Sequence, residues 1–282
     1  MKTVLELKKF ATQVRRDVIR MINMANSGHP GGALGAADYL TVLYNNFMEY
    51  DSKSFDMDGK GEDIFFLSNG HLSALWYSVL ARVGYFDIKE LSTFRKINSR
   101  LQGHPTTEEG LPGVRIASGS LGQGLSAAIG AALSKKMNKD NKTVYILLGD
   151  GELQEGNIWE AAMFGAHHKV DNIIAAVDYN GQQIDGPVDK VMSLGDLKLK
   201  WEAFGWNVIE CNNGNDIESI IYTLTEAKRN LNKGKPIIIL LKTIMGKGVD
   251  FMENDYRWHG KALNNEETEK ALSQLPETLG DF

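Results

Sequence analysis

Four short runs in this chain have uninterrupted apolar interiors: IFFLS (64–68), TVYILLG (143–149), NIIAAVD (172–178) and KPIIILLK (235–242). A strand with one wet face alternates apolar and polar residues, so runs without alternation predict strands covered on both faces. WNVIE (206–210) reads as a fifth strand. Between them lie segments of helical spacing. Leu5, Phe10, Val14, Ile19 and Ile22 mark an amphipathic helix over 3–26, and further helices are expected over 34–47, 72–83, 125–138, 157–169 and 215–231. Strands of this kind alternating with helices predict an α/β fold, with a mostly parallel sheet and helices on both faces. No repeat, low-complexity tract or linker interrupts the pattern, so residues 1–282 are expected to form one domain, ending in a short polar helix and a tail.

Such sheets bind ligands beyond the carboxyl ends of their strands, where loops meet the free N–H groups of helix N-termini. The unusual residues of the sequence fall there: Asn69-Gly70-His71, Asp150-Gly151, Tyr179-Asn180-Gly181, and Thr243 with MGKG. Asp150 and Asn180 each follow a buried strand directly. A carboxylate and an amide oxygen at neighbouring strand tips, joined by a loop carbonyl near Gln182, form the hard-oxygen set that magnesium takes, with phosphate oxygens completing its shell. Gly151 would let a diphosphate approach the backbone. Each residue alone also fits a helix cap or a turn; the pair favours the metal.

Four of the six histidines stand beside glycine in loops: His29, His71, His104 and His259. Glycine permits turns that swing imidazoles into a cleft, and neutral imidazoles suit proton transfer and hydrogen bonding to hydroxyls or phosphate. No pair of them has the short spacing of zinc ligands. His167 and His168 fall near a helix C-terminus and receive no role.

Composition narrows the partners. A net charge of −5 and a pI near 5.7 offer no broad attraction to nucleic acid or anionic lipid. The single cysteine, Cys211, has no disulfide partner. The N-terminus has charges where a signal peptide needs an apolar run, and Ile237 to Leu241, the longest aliphatic run, is too short to span a bilayer. A cytoplasmic protein is expected, with neither membrane nor nucleic acid as partner.

SGHPGGALGAADYL, LSNGHLSALWY, GHPTTEEGLPGVRIASGSLGQGLSAAIGAAL, GDGELQEGNIWEAA, DYNGQQIDG, KTIMGKG and WHG closely resemble, in order and spacing, the N-terminal diphosphate-binding region of transketolase. The likeness runs from about residue 10 to about residue 260. Gly-Asp-Gly followed about thirty residues later by Asn is the shared signature of thiamine-diphosphate enzymes, whereas the Gly-His-Pro pair, LGQGLS and LQEG are specific to transketolase and near relatives. The resemblance implies a thiamine-diphosphate-binding fold. It implies thiamine diphosphate held through Mg²⁺, or Ca²⁺ or Mn²⁺ in its place, by Asp150, Asn180 and the main-chain oxygen of Gln182. Gly151, His71 and His259 would contact the diphosphate, and Leu121 and Ile184 the cofactor rings. His29, His104 and His259 would bind ketose hydroxyls and move protons. Glu155 and Glu160 resemble acidic residues that connect cofactor sites across a subunit interface. Ser120 departs from the pattern, standing where many relatives have proline.

The implied reaction is ketol transfer, in which a two-carbon unit passes from a ketose, or its phosphate, to an aldose. Transketolases of the usual length continue with two further domains, which supply the glutamate and aromatic pocket for the aminopyrimidine and most contacts to the sugar phosphate. The resemblance therefore implies either a fragment or one subunit of a split enzyme, and the second is expected: a separate C-terminal subunit, with two copies of each chain in the assembly. The residues leave other readings open. Gly122-Gln123-Gly124-Leu125-Ser126-Ala127 nominally fits a nicotinamide-binding G-x-G-x-x-A, though GVRIAS is a weak preceding strand and no acidic residue follows at the expected distance. A non-catalytic cofactor-binding module and a deoxyxylulose-phosphate synthase or 2-oxo-acid dehydrogenase subunit share the metal motif. The particular sugars are not legible.

Overall fold

Each apolar run forms a strand, and together they build one parallel sheet. The computed structural model describes all 282 residues. In chain order the elements are α1 (Val4–Ala25), α2 (Pro30–Gly35), α3 (Ala37–Val42), β1 (Ile64–Leu67), α4 (Ser73–Arg82), α5 (Gly124–Met137), β2 (Val144–Gly149), α6 (Gly156–His167), β3 (Ile173–Tyr179), β4 (Gln182–Gln183), β5 (Gly186–Pro187), α7 (Val188–Val191), α8 (Leu197–Ala203), β6 (Asn207–Cys211), α9 (Ile217–Asn230), β7 (Ile237–Lys242) and α10 (Asn265–Gln274). The sheet runs β1-β2-β3-β7-β6, every pair parallel, while β4 and β5 form a separate antiparallel ribbon.

Both faces are covered, as the lack of alternation requires. On one side a cluster of 51 buried residues joins the inward faces of α1, α3, α4 and α9 to Tyr145, Leu147, Ile174 and Ile239; on the other, 24 residues join α5, α6 and α8 to Ile146, Leu148, Ala175 and Ile238. Successive strand residues thus feed opposite cores. The crossover from β2 to β3 passes through α6 on the second face. The return from β6 to β7 passes through α9 on the first, because right-handed connections in opposite directions must use opposite faces. The chain therefore departs in different directions at β3 and β7, leaving a crevice beyond their carboxyl ends.

The expected elements recur with ends shifted by a residue or two, except at 34–47. That helix begins earlier, at Pro30, whose fixed φ suits the first helical position. It is also broken, into α2, α3 and a wider turn over Leu43–Phe47. The break goes with glycines that let α2 lie against other backbone: a Cβ on Gly31 would stand 2.9 Å from the carbonyl oxygen of Trp258. α7, α8 and the β4–β5 ribbon were not expected. α1 opens with a capping box in which Thr3 and Glu6 satisfy each other's backbone N–H groups. The polar helix near the C-terminus is α10, but the tail beyond it is docked: Arg16 Nη2 donates to Asp281 at 2.7 Å, and Arg20 lies over the Phe282 ring.

Candidate active site

β2 and β3 are adjacent, with Gly149 in register with Asp178, so Asp150 and Asn180 leave neighbouring strand tips. Both line one open hollow, as do His71, Leu121, Gly151, Glu155, Gln182, Ile184 and His259. Nine of the twelve expected site residues thus meet at one place, drawn from separate loops. Ile184 is 59% exposed on the rim.

The local reading of Asp150 and Asn180, a cap and a turn, is realised, and both residues also line the hollow. Asp150 caps the turn Gly151–Gln154 by accepting from Gly151 N–H at 2.8 Å, and its other oxygen accepts from Gly181 N–H at 2.6 Å, tying the two strand tips together. Asn180 Oδ1 accepts from Gln182 N–H at 2.9 Å, while its amide donates to Asp178 Oδ2 at 2.8 Å. That second bond fixes which end of the amide faces the loop. Asp178 is held in turn by the Thr243 hydroxyl at the end of β7.

Asp178 and Glu152 are site residues that the sequence did not single out. Asp178 is two positions before Asn180 within an apolar strand, and Glu152 two positions after Asp150; each is 2% exposed. The signal available was an acid inside, or directly after, a run otherwise free of charge. No hydrogen-bonded cation accompanies them. Burial, and then the charge of Asp178, push the Asp150 carboxyl up to about 8; burial pushes Asp178 up to about 6. A hollow with buried carboxylates and no lysine or arginine in its lining is chemically suited to a divalent cation. No group of three or more His, Cys, Asp or Glu side chains is arranged to hold a metal; Asn180 and Gln182 add amide and main-chain oxygens to the lining of the hollow.

The four loop histidines form one cluster beside this hollow. The ring centroids of His71 and His259 are 4.9 Å apart, and His29 stands 5.3 Å from His71, 5.7 Å from His259 and 6.0 Å from His104. His29 precedes Pro30 at the start of α2, and the close approach of Gly31 to Trp258 brings it to His259. Buried Nδ1 atoms of His29 and His259 have no hydrogen-bond partner. Such unpartnered nitrogens suit a polar ligand. Arg95, not anticipated either, reaches the cluster edge through bonds to Ser27 Oγ at 2.7 Å and the Gly103 carbonyl at 3.2 Å. Glu160 is not brought to the hollow; it lines a surface depression with Ser126 and Phe164.

Burial, then the neighbouring His259 and Arg95, lower His29 from its ordinary 6.5 to about 4, and burial lowers His71, His104 and His259 as well. Each shift favours the neutral imidazole. A histidine depressed in the folded state contributes stability that is present above about pH 6.5 and lost as pH falls toward about 4, because the unfolded chain takes up the proton first. The raised carboxylates act in the opposite sense, so the informative quantity is a difference. Between about pH 7 and about pH 5, the melting temperature of His29→Asn relative to wild type should rise, by a few degrees in circular-dichroism melts. Parallel pH profiles for the two proteins would refute the assignment.

The fold and the hollow define a class: α/β proteins that hold an anionic cofactor at the carboxyl edge of a parallel sheet. Residues 7–277 match the family described as transketolase, thiamine diphosphate binding domain. An apulose-4-phosphate transketolase subunit of Actinobacillus succinogenes is 38% identical over 271 residues, covering 96% of each chain. A 6-deoxy-6-sulfo-D-fructose transketolase subunit of Clostridium sp. is 37% identical with the same coverage. Human transketolase is 38% identical, but this chain spans only 42% of its length. The crystal structure of Campylobacter jejuni transketolase superposes with a TM-score of 0.88 at 35% identity, over 98% of this chain and 43% of that one. This chain belongs to the transketolase family, as its thiamine-diphosphate-binding part, and its chemistry is transferase chemistry of that type.

Proposed function

We propose that this chain is the diphosphate-binding subunit of a two-chain transketolase, which moves a two-carbon ketol unit from a ketose or ketose phosphate to an aldose or aldose phosphate. The observation that carries the reading is the meeting of Asp150, Asn180, Gln182 and Gly151 in one hollow with His71 and His259 on its wall. Mg²⁺, or another hard divalent cation, would be held by Asp150, Asn180 and the Gln182 carbonyl. Gly151 N–H, His71 and His259 would hold the diphosphate, and Leu121 and Ile184 would pack on the rings. When bound, thiamine diphosphate supplies a group that stabilises negative charge on the two-carbon fragment. Neutral His29, His104 and His259 would hold the ketose hydroxyls and accept or return protons there.

A separate C-terminal subunit would close the other side of the cofactor, two copies of each chain forming the assembly. Support comes from the relatives named as subunits, which this chain matches over nearly their whole length. The exposed Ile184 rim suits such a cover. Met163 and Phe164, exposed near Glu160, give α6 an apolar outer face suited to a subunit contact through which Glu155 and Glu160 could link cofactor sites. No helix is long and apolar enough to cross a membrane; we place the protein in the cytoplasm. The test is to assay this chain, its co-purified partner and their mixture with thiamine diphosphate, Mg²⁺ and a panel of ketoses that includes sulfonated and branched sugars. Ketol transfer is expected only in the mixture. Full activity of this chain alone would contradict the proposal.

A further inference from the structure

Glu152 is a carboxylate without a cation, 2% exposed, in a place where an apolar side chain would bury at less cost. What it has instead is three hydrogen bonds to three different segments. Oε1 accepts from the Ser68 hydroxyl at the end of β1 and from Gly122 N–H at 2.9 Å; Oε2 accepts from Gly149 N–H at the end of β2, at 3.0 Å. The peptide oxygen of Gly122 is taken as well, by Asn157 Nδ2 at 2.9 Å. The turn and helix following Asp150 therefore grip Gly122 from both sides. Gly122 has φ +85°, and a Cβ there would stand 2.8 Å from Glu155 Cβ, so the gripped peptide has little room to move. On the other side the loop packs on the histidine cluster: a Cβ on Gly119 would lie 2.7 Å from the His104 ring. Between these fixed points hangs Leu121, half-buried, its side chain on the wall of the hollow beside Asp150.

We propose that Glu152 is a positioning residue that couples the metal-binding turn to the Leu121 loop, and so sets the affinity for the ring-bearing part of the cofactor rather than for its diphosphate. This rests on the cofactor reading given above. Asp150, Asn180 and Gly151 address the diphosphate and its metal directly. Glu152 touches neither; it fixes where Leu121 meets the ring. Removing it frees Gly122 N–H and lets the loop drift, while the tie from Asp150 to Gly181 stays in place.

The experiment separates the two ends of the ligand. In the complex with the partner subunit, Mg²⁺–thiamine diphosphate and Mg²⁺–pyrophosphate are titrated calorimetrically into wild type, Glu152→Ala and Glu152→Gln. Glu152→Ala should lose roughly tenfold in affinity for thiamine diphosphate, about what one misplaced packing contact on the ring costs, and only a few-fold for pyrophosphate. Glu152→Gln, which keeps one carbonyl acceptor, should recover part of the loss, and it carries the test if the alanine variant does not fold. Equal losses for the two ligands, or no loss for either, overturn the inference. A wild-type complex that binds no Mg²⁺–thiamine diphosphate overturns the cofactor reading itself, and this inference with it.

Discussion

Asp150→Ala should abolish magnesium-dependent binding of thiamine diphosphate to the assembled complex. Loss of an outer-shell partner of a metal costs about 10- to 100-fold, so loss of a direct ligand should cost about 100-fold or more in calorimetry. The alanine variant also removes the acceptor of the Gly151 and Gly181 N–H groups, so a lower affinity could reflect a loosened loop. Asp150→Asn separates the causes. It keeps one acceptor oxygen and the shape of the residue but removes the charge, and it should bind the cofactor nearly as poorly. Without ligand it should melt close to or a little below wild type, because relief of the repulsion with Asp178 is set against an amide NH2 that replaces one of the two oxygens accepting from Gly151 and Gly181. Unchanged cofactor affinity in both variants would remove the metal assignment.

His259→Ala should lower ketol transfer by the complex by about a hundred- to ten-thousand-fold, the range for a positioned acid–base group. His259 is the one member of the histidine cluster assigned to both the diphosphate and the donor hydroxyls. It lines the hollow, its ring is 4.9 Å from His71 and 5.7 Å from His29, and its buried Nδ1 has no partner. The two roles predict a split effect: weaker cofactor binding in titrations, and a fall in kcat that saturating cofactor does not restore. A full return of kcat at high thiamine diphosphate would confine His259 to the diphosphate. Full activity at ordinary cofactor concentration would remove it from both roles.

The legibility of the site follows from where its residues lie. Asp150, Asn180 and the four histidines stand next to glycines in loops, where a charged or polar group departs from its neighbours and can be seen in one dimension. Asp178 and Glu152 lie within or against apolar segments, and the bonds that give them meaning run to Thr243, Ser68 and Gly122, far along the chain. The broken helix at 30–47 was hidden for a similar reason. Its helical spacing is intact, but the glycines that admit Trp258 and Ile244 report contacts with segments roughly two hundred residues away.

By itself the sequence determined the strands, because an apolar run without alternation has one stable environment, a sheet covered on both faces. It also marked loops that meet at the hollow, through the placement of glycine beside histidine, aspartate and asparagine. Strand order needed the tertiary structure. Only the pairing of β2 with β3, and of β3 with β7, makes Asp150, Asn180 and Thr243 neighbours. The same packing gathers the histidines of four distant loops at ring spacings of 4.9–6.0 Å and sends Glu160 to a separate face. Proximity between residues far apart in the chain arises from how layers stack and which way each crossover turns, and local residue patterns carry no record of either.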